Sequence, residues 1–245
     1  MQQFYKRFLF LLISFTTTTQ FYGIGYAQSS NWLALSNGPG QALDITVDQK
    51  GNVYSLGKEN REMEFRSADS LGPKHHSHVP WNAQFIAQHS PDGALNFVLH
   101  FVSIGGNQNT TSTRKIIVLD DNRIAATVYC SNRFYAIDSQ GDSTELPGRS
   151  SALVIFSENG KFQESIPLPM KHSLWTGQLD DGSIYVLGDQ SAYTLKRKKA
   201  LCRVDLRLQE ARMVNDDLPG TIAAVIGIGN TLWFLDMEVT CSEYY

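Results

Sequence analysis

No linear catalytic signature is present in this sequence. It has no G-x-S-x-G elbow, no H-E-x-x-H helix, no phosphate loop and no paired C-x-x-C. Charge is also scarce: only 18% of residues are charged and the formal net charge is −3, which excludes the basic footprint of a nucleic-acid binder. Cysteine is limited to Cys130, Cys202 and Cys241, an odd number that allows at most one intramolecular bridge. Cys202 with Cys241 is the preferred pairing, since both fall in equivalent strands of successive repeats; three reduced, buried thiols are the alternative. Helical periodicity is hard to find after the first 27 residues. Aromatics, by contrast, reach 11%, which points to an ordered core and against a disordered tail.

What is present begins with a leader. Lys6 and Arg7 precede the apolar run 8–15 (FLFLLISF), a polar stretch follows, and Gly25 and Ala27 are small residues at the −3 and −1 positions of a cleavage site. The run is far short of the ~20 residues that span a bilayer, so residues 1–27 are expected to be a removable signal peptide. No later stretch approaches membrane length. The expectation is a protein secreted to the periplasm or cell surface, with one domain over 28–245 and no membrane span once the signal is gone.

That domain repeats itself. Four places show an apolar strand, a tight polar turn and a second apolar strand, with second strands starting at Val53, Ile124, Ile184 and Leu232, at spacings of 71, 60 and 48 residues. A second hairpin type alternates with the first, at 85–101 through Pro91, Asp92 and Gly93, at 152–168 through Asn159 and Gly160, and in degraded form at 200–214. Gly and Asn supply the turn conformations, and Val, Ile, Tyr and Trp favour strand. Four antiparallel strands per unit of ~40–50 residues is the period of a propeller blade. The longer first two units require insertions, expected as polar loops at 66–79 and 108–112. In a rival parse Phe134 to Asp138 and the turn after it form a further strand and turn. The fold class expected is all-β, a β-propeller-type array of about four four-stranded antiparallel blades. It is either closed, with residues 32–35 completing the last blade beside 239–245, or a partial propeller.

The segment Asp48, Gly51, Asn52, Val53, Tyr54 and Gly57, followed by Phe85, Ile86, Ala87, Gln88 and then Asp92, Gly93, resembles a known repeat. That repeat, Asp-x-x-Gly-Asn-x-Tyr … Phe-Ile-Ala-Lys … Asp-x-x-Gly, belongs to bacterial secreted β-propeller repeat proteins. The third unit keeps Asp181, Gly182, Ile184, Tyr185 and Gly188, whereas the second has Asn122, Arg123 and Ala125 where the motif has Gly, Asn and Tyr. The resemblance implies an extracellular or surface-attached propeller and implies no reaction.

Candidate chemistry is sparse. His75, His76 and His78 could share a metal ion, although a site normally draws ligands from several elements; a solvated insertion loop is the other reading. His89, His100 and His172 stand alone. Asp48, Asp120, Asp121, Asp180 and Asp181 recur at turns and read as turn caps rather than calcium ligands. Lys196, Arg197, Lys198 and Lys199 form a basic run able to hold an anionic glycan or phosphate, or simply a solvated hairpin tip. Trp81, after Pro80, is the tryptophan expected to be exposed and able to stack on a sugar, whereas Trp233 is expected in the core. No cofactor is implied. Three functions stay open: a non-enzymatic module binding a protein or glycan, toward which the sequence leans; a hydrolase or lyase acting on an extracellular polymer at the channel mouth; and a partial propeller without independent function.

Overall fold

The computed structural model describes residues 36–37, 40–59, 63–67, 74–77, 83–103, 111–130, 133–146, 148, 150–170, 172–189, 198–219 and 222–236. All regular structure among them is β. The strands are β1 (Ser36–Asn37), β2 (Gly40–Val47), β3 (Val53–Glu59), β4 (Met63–Arg66), β5 (Lys74–Ser77), β6 (Ala83–His89) and β7 (Leu95–Ser103). They continue as β8 (Thr111–Val118), β9 (Ile124–Cys130), β10 (Phe134–Ile137), β11 (Ser143–Leu146), β12 (Ser150–Phe156) and β13 (Phe162–Leu168). The last are β14 (His172–Gln178), β15 (Ile184–Asp189), β16 (Lys199–Asp205), β17 (Glu210–Leu218), β18 (Ile222–Ile228) and β19 (Thr231–Asp236). Every hairpin expected from sequence forms.

The strands build successive antiparallel sheets, and the first two interleave along the chain because β10 and β11 return to the first after β8 and β9 have begun the second. Sheet I has the order β11-β10-β7-β6-β3-β2, sheet II β13-β12-β9-β8, sheet III β14-β15-β16-β17 and sheet IV β18-β19. The first strands β2, β8, β14 and β18 touch in succession. They therefore run along a common axis while the later strands of each sheet lie outward, which is the order of propeller blades.

Alternation of side chains lets each sheet bury one face on its predecessor and the other on its successor. Tyr54, Leu56, Ile86, Leu99 and Phe101 of sheet I meet Ile116, Ile124, Val128, Val154 and Phe156 of sheet II. On the far side of sheet II, Ala125, Leu153, Ile155 and Ile166 meet Ile184, Val186, Ala200 and Cys202 of sheet III. Leu187 and Leu201 of sheet III in turn pack with Val225 of sheet IV. Each fully buried large aliphatic or aromatic side chain contributes about 1.5–3 kcal/mol, so the sheets hold one another together. Cys202 is a free thiol sealed in this stack, and burial pushes its pKa up to about 12. Cys241 lies outside the described residues.

Three expectations need correction. The stretch at 66–79 is not simply a loop: β4 and β5 pair as a hairpin, β1 pairs with β4, and this small sheet lays Met63 and Phe65 on Phe85, Ala87, Leu95 and Val98 of sheet I. Residues 111–112, expected in the second loop, belong to β8 and pair with Cys130 and Tyr129. The rival strand and turn at Phe134 form as β10 and β11, but β10 pairs with β7, so this hairpin widens sheet I rather than its own unit. Phe134, Ala136 and Leu146 explain the choice, because they complete the core between sheets I and II. Residues 32–35 and 239–245, expected to join the two ends of a ring, lie outside the described residues.

Candidate functional site

The turn between β2 and β3 is organised by one carboxylate. Gly51 has φ +83°, which reverses the chain after Asp48, and Asp48 accepts hydrogen bonds from Lys50 N (2.9 Å) and Asn52 N (2.8 Å). Its second oxygen accepts from Asn52 Nδ2 at 2.7 Å and from the Tyr54 hydroxyl at 3.0 Å. Gln88 Nε2 of β6 donates to the Tyr54 oxygen at 2.5 Å, and Asn96 Nδ2 of β7 donates to Gln88 Oε1 at 2.9 Å. The donors all run one way, Asn96 to Gln88 to Tyr54 to Asp48, and the chain ends on a negative charge.

Electrostatics follow from that geometry. Burial raises the Asp48 pKa, but the hydrogen bonds from Asn52, Tyr54 and Lys50 outweigh it and the net shift is downward. Tyr54 is pushed up to about 12, chiefly by burial and then by the Asp48 charge, against the Gln88 hydrogen bond. Its hydroxyl is a proton-bearing group at any physiological pH.

Above this network opens a cleft of about 510 Å³ lined by Asp48, Asn52, Tyr54, Gln88, Asn96 and Phe97 from sheet I. Its opposite wall comes from the β10–β11 and β12–β13 turns, with Ser139, Glu158 and Asn159, and Lys50 reaches across to Glu158 at 2.8 Å. Ser139 Oγ donates to Asn159 O at 2.7 Å and its amide to Gly160 O at 3.0 Å, which locks the two turns together. Gly160 (φ +76°) sits where a Cβ would come within 2.9 Å of the Phe97 ring, so this wall closes on sheet I only because that position carries no side chain. The lining is amides, hydroxyls, the Lys50–Glu158 ion pair and the Asp48 carboxylate beside one aromatic face.

A second cluster lies at the other end of β3, roughly 17 Å from Tyr54 at about 3.4 Å per residue. Glu59 Oε1 accepts from His100 Nδ1 at 2.9 Å, with both side chains buried. His100 Nε2 meets His75 Nε2 at 3.1 Å. The ring centroids are 5.3 Å apart, 2.2 Å more than the nitrogens, so the imidazoles meet tip to tip. The carboxylate assigns the His100 proton to Nδ1, leaving Nε2 to accept from His75 Nε2–H. Phe65 flanks both rings.

The sequence-selected residues scatter. His75 sits in β5 and engages His100, and His76 pairs through the backbone with Glu64; His78 and Trp81 lie outside the described residues. Among the described residues, no group of three His, Cys, Asp or Glu side chains is arranged to hold a metal. Lys196 and Arg197 are also outside. Lys198 is exposed and pairs with Asp217 at 2.6 Å, while Lys199 is buried and pairs with Asp189 at 2.7 Å, because β16 begins there. Trp233 is exposed rather than in the core. Asp121 and Asp181 cap their turns, accepting from Arg123 N (3.1 Å) and Ser183 N (2.9 Å). Sequence reasoning read Asn52, Tyr54 and Gln88 as repeat and turn chemistry and passed over Glu59 and Asn96. The available signal for the second cluster was a histidine within an otherwise apolar strand, His100 in LNFVLHFVS.

No family model and no curated protein matches this chain. Among solved structures it is similar to a selenomethionine-substituted virginiamycin B lyase from Staphylococcus aureus, at 13% identity over 82% of each chain and a TM-score of 0.35. A streptogramin B lyase structure aligns at 13% identity, over 84% of this chain and 82% of that one, with a TM-score of 0.34. A catalytically inactive variant of the S. aureus enzyme with quinupristin aligns at 11% identity, over 82% of this chain and 93% of that one, with a TM-score of 0.30. Likeness this loose carries no activity to the present chain.

Proposed function

We propose that the protein is an exported binding module whose cleft takes an uncharged, polyhydroxylated ligand, a glycan. The observation that supports this reading is the lining: the amide groups of Asn52, Asn96 and Asn159 and the hydroxyl of Ser139 beside the Phe97 ring, over a floor of buried Tyr54 and Gln88. Amides and hydroxyls offer paired donors and acceptors to vicinal hydroxyls, and an aromatic face suits the apolar side of a sugar ring. Lys50 and Glu158 neutralise each other across the opening and the Asp48 carboxylate remains beneath them, a balance that disfavours an anion. The leader-like segment 1–27 supports delivery to the periplasm or cell surface.

The test is a glycan array followed by calorimetric titration of any hit. Asn96→Ala should weaken binding at least tenfold while leaving the fold unchanged. Absence of any glycan hit, or equal affinity for the Asn96→Ala protein, ends the proposal.

One observation favours a second reading. Glu59, His100 and His75 form a carboxylate-oriented imidazole pair, an arrangement suited to moving a proton in a hydrolase or lyase acting on an extracellular polymer. If turnover of such a polymer is found and His100→Gln abolishes it while ligand binding survives, the enzymatic reading replaces the first.

A further inference from the structure

The hairpin of β4 and β5 and the face of sheet I beneath it carry one histidine each, and the strand registers bring the two together. Phe65 and His75 stand opposite each other in the hairpin. Phe85 and His100 stand opposite each other in sheet I, in the row that begins at Gly57 of β3. Opposed residues share a face, and so do residues two apart along one strand. Because Phe65 packs on Phe85, His75 comes down on His100, with Glu59 two residues beyond Gly57 on the same side. Three strands from two sheets thus deliver two imidazoles and a carboxylate to one place.

That donor set is the set a transition-metal ion uses. The Glu59 carboxylate, 2.9 Å from His100 Nδ1, fixes the proton there and turns the Nε2 lone pair outward; a carboxylate behind the ring is the common support of a metal-ligating histidine. His75 Nε2 lies 3.1 Å from that lone pair. Two nitrogens bound at ~2.0–2.1 Å to one tetrahedral ion lie ~3.3 Å apart, so a small turn of the half-buried His75 ring seats an ion beside the line that joins them. The proton between the two tips gives way to the ion, since ligand nitrogens must be unprotonated. Among the described residues no group of three His, Cys, Asp or Glu side chains forms here, so the ion keeps water in its other positions.

We infer that His75 and His100 ligate a divalent metal ion of the zinc type through Nε2, with Glu59 as the positioning residue behind His100. Imidazole nitrogen suits zinc, copper and nickel, whereas calcium and magnesium take oxygen. Of the run 74–78 only His75 takes part, and its fellow ligand lies 25 residues further along the chain. The ion works as a clasp. At Arg66 the hairpin is already tied to sheet I, where Leu95 N donates to Ser67 Oγ at 2.9 Å and His89 Nε2 meets Arg66 O at 3.2 Å. A metal between His75 and His100 ties β5 to β7 as well, so both strands of the hairpin are held.

The experiment is calorimetric titration of zinc chloride into the untagged, chelator-treated chain, paired with hydrogen exchange with and without zinc. One ion should bind per chain, and exchange in residues 63–66 and 74–77 should slow when it does. His75→Gln should weaken binding at least tenfold and remove that slowing. His100→Gln should do the same; should its burial cost the parent far-ultraviolet circular dichroism, His75→Gln decides alone. Glu59→Gln keeps both ligands and should cost about tenfold in affinity. The double variant His76→Gln, His78→Gln should bind zinc as the parent does. Absence of zinc uptake by the folded chain overturns the inference. So does binding that survives His75→Gln, or binding lost in the double variant, which would assign the ion to the 74–78 run. Uptake that leaves exchange of the hairpin unchanged overturns it too, because an ion held elsewhere would do that.

Discussion

Removing the Asp48 carboxylate should destabilise the protein and do so in a pH-dependent way. In Asp48→Ala four hydrogen bonds disappear, two from turn amides and two from the Asn52 and Tyr54 side chains. The turn amides can turn to water, since Lys50 is exposed, and recover part of their loss. Tyr54 is fully buried and cannot. A hydrogen bond to a charged group contributes about 1.5–3 kcal/mol, and a buried donor left without its acceptor costs about 1–3 kcal/mol. A total of about 3 kcal/mol is expected, which for a chain of this size lowers Tm by roughly 6–12 °C. Tyr54→Phe should cost about 1–2 kcal/mol, because Gln88 Nε2 then loses its acceptor. The double variant should fall short of the sum by about 1 kcal/mol. The sign with pH follows from the depressed Asp48 pKa. Its contribution is complete above the ordinary carboxylate value of 3.8 and is lost as pH falls through the lower folded value. Urea unfolding followed by circular dichroism at pH 7 and again near pH 3 measures all of this. A loss below about 0.5 kcal/mol at pH 7, or a gap between the two proteins that widens toward pH 3, refutes the role given to this carboxylate.

Phe65→Ala should detach the β4–β5 hairpin from sheet I, since its ring lies 4.7 Å from that of Phe85; a loss of about 3–5 kcal/mol is expected. Hydrogen exchange should then rise first in residues 63–66 and 74–77. Gly160→Ala should cost more than ~1 kcal/mol, combining a positive φ with a Cβ pressed on Phe97, and should weaken ligand binding in the same titration. Cys202 should resist thiol reagents in the native protein at pH 8 and react only as the chain unfolds, with labelling counted by mass spectrometry.

The hairpins were legible because two local signals agreed at each: alternating apolar residues, and an Asp, Asn or Gly where the chain reverses. Lys50–Gly51–Asn52 and Asn159–Gly160 are such places, and each strand pair formed around them. The hairpin of β4 and β5 was not, because Met63 and Phe65 are only two apolar residues beside the polar run 74–78, and their value lies in Phe85 and Val98 across the sheet. Strand β10 was visible as an alternative, yet its partner was not, since Phe134 chooses its neighbour by the cavity it fills rather than by its own unit. The same limit hid the Glu59, His100 and His75 chain, whose members are separated by 41 and 25 residues and meet only when three strands and a cap are assembled. Trp233 misled for the converse reason: an apolar strand reads as core whether or not a neighbouring sheet arrives to cover it.

The return of β10 and β11 to sheet I has a consequence for how this molecule can be divided. A chain cut within 104–110 would strand the outer edge of the first sheet on the second fragment, so the first fragment carries an incomplete blade and the second carries two strands with no sheet of their own. Deleting a unit, or transplanting one into another scaffold, must therefore respect a seam that runs through space and not along the backbone.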